Sequence, residues 1–190
     1  MSQEIEIEFK NMLTKQEFET LAAALQLTEE DFTEQSNHYF DTDSFALKQK
    51  KAALRIRRKN GEYVLTLKEP AHVGLLETHQ RLSEVSDLSS FSVPEGPVMD
   101  QLRKLHIDTD AIQYFGSLAT NRAEKETEKG LIVLDHSRYL NKEDYEIEFE
   151  AADWHEGKRA FEKLLQQFRI PQRETKNKIF RFYEEKRKSI

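Results

Sequence analysis

Cysteine is absent from this sequence of 190 residues. The chain therefore cannot form a disulfide bond, a thiolate zinc site or a cysteine nucleophile. No apolar run approaches about 18 residues, the length of a membrane-spanning helix, and no basic stretch followed by an apolar run marks a signal peptide. Phosphate-binding glycine loops and dinucleotide fingerprints are also missing. We expect a cytoplasmic protein without a membrane partner.

Charge is plentiful, but neither sign dominates it. The 29 Lys and Arg are set against 35 Asp and Glu, which gives a net charge of −6. A chain without an overall basic field is a poor general nucleic-acid binder, because it has no excess of cations to replace the counterions of the phosphates. With 37% hydrophobic residues the chain can bury a core, and its length predicts one domain covering residues 1–190.

Local signals predict a mixture of antiparallel strands and helices. Thr14 and Glu17 form a capping box ahead of apolar residues at helical spacing. Asn60-Gly61 between two alternating segments predicts a two-residue hairpin. An acidic strand followed by a capped helix occurs twice, at 4–25 and at 145–168. We therefore predict an α+β fold with a weak internal duplication.

The C-terminal segment is ambiguous. TKNKIFRFY at 175–183 is compatible with a strand or with the start of a helix. The following EEKRKS, residues 184–189, has the composition of a frayed tail.

The charged positions of the strands separate by sign. EIEIEFK at 4–10 and YEIEFEA at 145–151 carry acids at every second position, whereas ALRIRRK at 53–59 carries bases. Like charges two residues apart on a strand lie about 7 Å apart, and at an effective dielectric of about 20 they repel by about 2 kcal/mol. Two interpretations follow. The charged face is either open to water, where the repulsion is small, or it lines the lumen of a closed barrel, where ions must balance it.

Residue chemistry favours the second interpretation. The guanidinium groups of Arg55 and Arg57 suit planar oxyanions such as phosphates. Acidic oxygen clusters without Cys or His suit hard cations such as Mg²⁺ or Mn²⁺. This combination is the chemistry of a metal-chelated polyphosphate.

The order of these motifs resembles a known family. Glu6-Ile7-Glu8-Phe9-Lys10 fits the Glu-x-Glu-x-Lys signature of the CYTH superfamily, the triphosphate tunnel metalloenzymes. Later segments fit in the same order: Tyr-Phe-Asp-Thr at 39–42, Leu-Arg-Ile-Arg at 54–57, Leu-Thr-Leu-Lys at 65–68, Arg122, Leu-Asp at 134–135, Glu-Ile-Glu at 146–148 and Thr-Lys at 175–176. The chain most resembles small bacterial members described as triphosphatases or adenylate-cyclase-like proteins. The resemblance implies an eight-stranded antiparallel β-barrel with a charged central tunnel and helices packed outside.

The resemblance also implies roles for individual residues. Acidic residues would hold Mg²⁺ or Mn²⁺: Glu6, Glu8, Glu77, Asp135, Glu146 and Glu148, of which Glu6, Glu8 and Glu148 are the expected catalytic residues. Basic residues would bind the triphosphate: Lys10, Arg55, Arg57, Lys68, Arg122 and Lys176. Glu4 and Glu150 extend the acidic segments by one step and are expected nearer a tunnel mouth.

Two positions depart from the family pattern. His79 stands where many relatives carry a second acid, so we expect it to weaken or alter one metal site. Thr120 stands two residues before Arg122, where relatives often have another base.

The expected activity is metal-dependent hydrolysis of a terminal phosphoanhydride. Inorganic tripolyphosphate, which needs only charges for its recognition, is the first expected substrate, and thiamine triphosphate is the second. Two alternatives remain: an adenylate cyclase acting on ATP, and a non-catalytic module that binds polyphosphate or nucleotide. The expected partner is thus a small-molecule triphosphate, with no nucleic acid, and a homodimer is left open.

Overall fold

The computed structural model describes residues 2–188. Within that range lie nine strands: β1 (Gln3–Glu6), β2 (Glu8–Leu13), β3 (Thr33–Thr42), β4 (Ala53–Lys59), β5 (Glu62–Pro70), β6 (Leu75–Leu82), β7 (Ile112–Thr127), β8 (Gly130–Tyr139) and β9 (Lys142–Glu150). The same range holds five α-helices: α1 (Lys15–Ala24), α2 (Ala46–Gln49), α3 (Pro97–Lys104), α4 (Trp154–Gln167) and α5 (Lys178–Lys188). In the described range, no helix is long and apolar enough to cross a membrane.

The chain divides into two compact units. The first contains residues 2–6 and 35–117, and the second contains residues 7–34 and 118–188. The strand order is β1-β6-β5-β4-β3-β7 in the first unit and β7-β8-β9-β2 in the second, with β7 contributing residues to both. The paired strands are antiparallel, which confirms the predicted α+β class. The single domain stays a prediction.

In the first unit the strands alternate between an apolar face and a charged face. Leu54 and Ile56 on β4 pair with Leu67 and Leu65 on β5, and all four are fully buried. They belong to a core that also contains α2 and α3 residues such as Leu47 and Leu102. Because successive side chains of a strand point to opposite faces, the arginines between these apolar residues project away from this core.

The second unit is built in the same way. Ile147 and Phe149 of β9 pack with Phe18 and Leu21 of α1 and with Phe161 and Leu165 of α4. The two acidic strands that precede the predicted capped helices are β2 and β9, and they are hydrogen-bonded neighbours, with Lys10 opposite Glu148. Each alternating strand therefore gives its apolar side to the helices and its charged side to the opposite face.

The second unit contains the predicted capping box of α1, but the second capping box, predicted at Asp153–Glu156, is present only as a single side-chain hydrogen bond. Thr14 accepts a hydrogen bond from the Glu17 amide while Glu17 accepts from the Thr14 amide, which is the predicted capping box. Asp153 accepts from the Glu156 amide at 2.8 Å and caps α4. Each cap satisfies backbone donors that the first helical turn leaves free.

Two predictions about local structure need correction. The strand predicted across 4–10 is two strands, because β1 pairs with β6 while β2 pairs with β9, and the break falls at Ile7. This division raises the strand count from the predicted eight to nine among the described residues.

The second correction concerns the C-terminus. Residues 178–188 form α5, so the helix alternative for 175–183 is confirmed and the frayed tail is wrong over 184–188. Ile179, Phe182 and Tyr183 recur at helical spacing and are buried. Basic residues in its last turn also suit the helix dipole. The last residue of the predicted tail, Ser189, lies outside the described range.

Gly157 marks a close approach of α4 to the strands of the second unit. A Cβ added there would lie 2.5 Å from the Ala151 Cβ and 2.8 Å from a ring carbon of Phe9. Alanine favours a helix over glycine by about 1 kcal/mol, but overpacking of this kind costs about 1–3 kcal/mol. We therefore expect Gly157→Ala to lower the free energy of unfolding, measured by urea denaturation. Adding Ala151→Gly should recover part of the loss; a Gly157→Ala variant as stable as the parent would contradict the contact.

Candidate active site

The charged face of the first unit centres on Lys68 and two glutamates. Lys68 on β5 lies opposite Glu77 on β6. Its ammonium contacts Glu77 and lies 2.6 Å from the Glu6 carboxylate. Glu6 is the last residue of β1. A residue of the Glu-x-Glu-x-Lys motif is therefore in direct contact with the predicted phosphate ligand Lys68.

The pKa values of the two glutamates are shifted in opposite directions. Burial raises the pKa of Glu6 against the attraction of Lys68. Burial acts in the same direction on Glu77, but the positive charges of Lys68 and Arg55 outweigh it and hold the pKa of Glu77 below its usual value. Glu77 is thus held as a buried carboxylate, only 4% exposed.

His79 completes a three-residue group on this face. Its Nδ1 lies 3.0 Å from the Thr66 hydroxyl, directly across the β5–β6 ladder. Its Nε2 lies 3.0 Å from a Glu4 oxygen and 3.3 Å from a Glu77 oxygen. One oxygen from each carboxylate and a ring nitrogen all lie within 4.8 Å of one another.

The two predicted arginines of the first unit lie on β4. The Arg57 Nε donates to the Asn37 side-chain oxygen at 3.3 Å. The Arg55 Nε is buried and has no hydrogen-bond partner among residues 2–188. Buried polar groups are nearly always paired, so a guanidinium nitrogen in this state is available to an oxyanion.

The second unit carries a denser charged network. Arg122 on β7 holds Asp135 on β8 through two hydrogen bonds, at 2.8 and 2.6 Å, and also donates to Glu148 at 2.6 Å. Lys10 contacts Glu8 and lies 3.8 Å from Glu148. Predicted metal ligands and predicted phosphate ligands are therefore already paired with one another in this unit.

Lys178 on α5 enters the same network. Its ammonium lies 2.8 Å from Asp135, 3.1 Å from Glu146 and 2.6 Å from Glu148. Arg181, one turn later, donates to Glu146 at 2.6 Å and to Asp144 at 3.0 Å. The ammonium of Lys178 thus contacts three of the predicted metal ligands.

Charge pairing dominates titration in this network. Burial would raise the pKa of Glu148, but Lys178, Arg122 and Lys10 hold it well below the ordinary range. Burial acts likewise on Asp135, and Arg122 and Lys178 again keep its pKa low. For Lys178 itself, burial would lower the pKa, but the carboxylates raise it far above the usual value. All of these groups are charged in the folded state at neutral pH.

The structure also places one predicted residue apart and adds two. Lys176 is exposed and pairs with Glu184, so it lies outside the contacts described for the network. Lys178 and Arg181 take part instead, and they were missed because 175–183 had no settled secondary structure. The signal that could have found them is the helical spacing of the buried residues in α5, which puts positions 178 and 181 on one side of the helix.

The oxygen-rich donor set fits a hard divalent cation. Glu146 is 1% exposed, and its Oε1 has no hydrogen-bond partner among the described residues. Such an orphaned carboxylate oxygen is an available metal ligand, beside the further carboxylates Asp135 and Glu148. Binding there would have to compete with the ammonium of Lys178.

The chain is similar to known proteins over nearly its whole length. Over its full length the chain is 90% identical to a Bacillus subtilis (strain 168) protein named "Putative triphosphatase YjbK", of which it covers 100%. The crystal structure of an adenylate cyclase candidate (bh2851) from Bacillus halodurans matches with a TM-score of 0.91 and 45% identity, over 96% of this chain and 100% of that one.

A more distant structure has the same fold. HpAC1 from Hippeastrum, an adenylyl cyclase candidate described as having a dominant triphosphatase activity, matches with a TM-score of 0.72 and 23% identity, over 95% of this chain and 96% of that one. The CYTH domain family matches residues 4–183. The predicted membership is confirmed: the chain belongs to the CYTH domain family.

Proposed function

We propose that this protein is a metal-dependent triphosphatase that hydrolyses a terminal phosphoanhydride. The observation that carries the proposal is the pairing of buried carboxylates with buried lysine and arginine side chains on the charged faces, as in Arg122 with Asp135 and Glu148. The name of the relative that is 90% identical supports the same activity.

The proposed metal ligands are carboxylates in both units. They are Glu6 and Glu77 in the first unit, and Glu8, Asp135, Glu146 and Glu148 in the second. Mg²⁺ or Mn²⁺ bound to such oxygens would polarise phosphoryl oxygens and activate water. Glu6, Glu8 and Glu148 are the proposed catalytic residues, with the role of orienting the attacking water for in-line displacement.

The proposed phosphate ligands are basic side chains of the two units. They are Arg55, Arg57 and Lys68 in the first unit, and Lys10 and Arg122 in the second. Lys176 remains a proposed ligand from the family pattern, although it pairs with Glu184 in the described structure. Because the cations other than Lys176 are partly or fully removed from water, their attraction for negative charge is stronger than at an open surface. They would neutralise the charge that grows on the transferred phosphoryl group and on the leaving group.

Pairing within the networks also prepares the cations for binding. A guanidinium that is held by two carboxylates, as Arg122 is, loses little additional side-chain entropy when an anion binds. The proposed catalysis therefore depends on preorganised charges and not on a covalent nucleophile.

A cytoplasmic location and a single domain are part of this proposal. The homodimer is left as an alternative to the monomer.

A phosphate-release screen tests the activity and the substrate together. Tripolyphosphate, thiamine triphosphate and ATP are each incubated with the protein and Mg²⁺ or Mn²⁺. We expect orthophosphate from tripolyphosphate, lost when EDTA is added. Cyclic AMP from ATP without orthophosphate would replace the proposal with an adenylate cyclase. Binding of tripolyphosphate without turnover would replace it with a polyphosphate-binding module.

Arg57 allows a sharp test of phosphate binding. Hydrogen bonds to charged groups contribute about 1.5–3 kcal/mol, so we expect Arg57→Ala to raise the KM for tripolyphosphate about 10- to 100-fold. Arg58→Ala is the matched control, because the next side chain on β4 stacks over Tyr63, with its guanidinium 5.8 Å from the ring centre. The KM and kcat of both variants for tripolyphosphate are measured by steady-state kinetics. An unchanged KM and kcat in Arg57→Ala would remove Arg57 from the site.

A further inference from the structure

The geometry points to a second kind of metal site in the first unit. We propose that Glu4, Glu77 and His79 bind a transition-metal dication of the Zn²⁺ type, in preference to Mg²⁺. The three residues come from adjacent strands, with Glu4 on β1 directly opposite Glu77 on β6. The inference does not depend on the proposed triphosphatase activity, because it concerns binding of the metal alone.

The imidazole of His79 is positioned from both sides. Thr66 is 2% exposed, and its hydroxyl lies 3.0 Å from Nδ1. When Nδ1–H donates to that hydroxyl, Nε2 carries the lone pair and faces the two carboxylates. Histidine ligands of metals are commonly fixed by a hydrogen bond at the second ring nitrogen, and Thr66 supplies such a bond.

The distances from the His79 nitrogen to the two carboxylates suit a shared cation. The Nε2 atom lies 3.0 Å from Glu4 and 3.3 Å from Glu77. Two ligands with bonds of about 2.1 Å to one metal, at angles of 90–110°, are separated by about 3.0–3.4 Å. The His79 nitrogen therefore already has the spacing of a neighbouring ligand to each carboxylate, and the three donor atoms lie within 4.8 Å of one another.

The types of donor decide which cation is preferred. An imidazole nitrogen suits Zn²⁺ and the later transition metals, whereas Mg²⁺ selects oxygen ligands and keeps much of its water. Glu77 is only 4% exposed; its Oε1 contacts the Lys68 ammonium, and its Oε2 faces the His79 Nε2 at 3.3 Å. Glu4 has a side chain that is 68% exposed, so it gives the ion a path from solvent.

An ion pair without metal is the competing explanation. A protonated His79 could bridge the two carboxylates as a cation. The two explanations differ in what Zn²⁺ does, since an imidazolium has no lone pair for the metal and a neutral ring has one at Nε2.

Imidazole ¹⁵N NMR on the untagged full chain tests the site. The protein has six histidines, and their ring nitrogens are followed during titration with Zn²⁺ and, separately, with Mg²⁺ at neutral pH. We expect Zn²⁺ to shift the Nε2 resonance of one ring by the large amount that direct coordination produces, and Mg²⁺ to shift it much less. The shift should vanish in His79→Asn, and Glu4→Gln should weaken the apparent Zn²⁺ affinity at least 10-fold.

His136→Asn is the matched control, because the His136 Nε2 also lies 3.0 Å from one glutamate, Glu143, but belongs to no three-residue group in the described range. The Zn²⁺-dependent shift should persist in this variant. The inference is overturned if Zn²⁺ moves no ring resonance, or if the same shift survives in His79→Asn. Glu4 is exposed, so Glu4→Gln tests the site even if His79→Asn were to lose its fold; an unchanged affinity in Glu4→Gln would also overturn it.

Discussion

Glu6→Gln should lose metal-dependent release of phosphate from tripolyphosphate by about 100-fold or more. Loss of a residue that only supports a metal ligand costs about 10–100-fold, and Glu6 is proposed as a ligand itself. The substitution replaces a carboxylate by an amide of the same shape. The protein should stay folded, because Lys68 keeps its contact with Glu77 after Glu6 becomes neutral.

The matched control for this variant is Glu62→Gln. Glu62 makes the same kind of pair, with Arg81 at 3.2 Å, but both side chains are largely exposed. Exposed pairs of this type contribute little to stability, so Glu62→Gln should retain both activity and stability. Activity is measured as phosphate release at saturating Mg²⁺ and Mn²⁺, and folding by circular dichroism. Parent-like turnover in Glu6→Gln would remove Glu6 from the catalytic residues.

The sequence was a good guide to which face of each strand is charged. Alternation alone predicts the separation of Arg55 and Arg57 from Leu54 and Ile56, since successive residues of a strand must point in opposite directions. The Asn60-Gly61 turn was likewise predictable, because both residues have positive φ, 51° and 79°. These features depend on neighbouring residues only.

Features that depend on distant partners were not predictable. The break at Ile7 arises because β1 finds its partner in β6 and β2 finds its partner in β9. Nothing within EIEIEFK distinguishes the residues before the break from those after it. The acids of this segment are therefore divided between two units, with Glu6 in the first and Glu8 in the second.

The place of Lys178 in the charged network could not be predicted from the sequence for a related reason. A short apolar pattern is compatible with a strand or a helix, and the choice changes which lysine shares a side with Arg181. In a strand, position 176 would point the same way as 178, whereas in the observed helix 178 pairs with 181. The site residues in α5 follow from the packing of Ile179 and Phe182, not from the charges.

Asp135→Asn should lower the free energy of unfolding by about 3–5 kcal/mol, the usual cost of removing one partner from a buried ion pair. Asp135 is fully buried and contacts both Arg122 and Lys178. Neutralising it leaves Glu148 as the main partner of two buried cations. Because a native domain is stable by only about 5–15 kcal/mol, this loss should be visible as a large fall in the urea midpoint.

A double variant separates the charge effect from a packing effect. Lys178→Met alone removes a cation that three carboxylates share, so it should also destabilise the protein. In Asp135→Asn/Lys178→Met the ammonium that has lost its Asp135 partner is gone, and the double variant should be more stable than the sum of the two single losses predicts. Additive losses would mean that the two residues do not interact energetically. The sign of this coupling therefore shows whether the ammonium of Lys178 balances the carboxylates proposed to bind the metal.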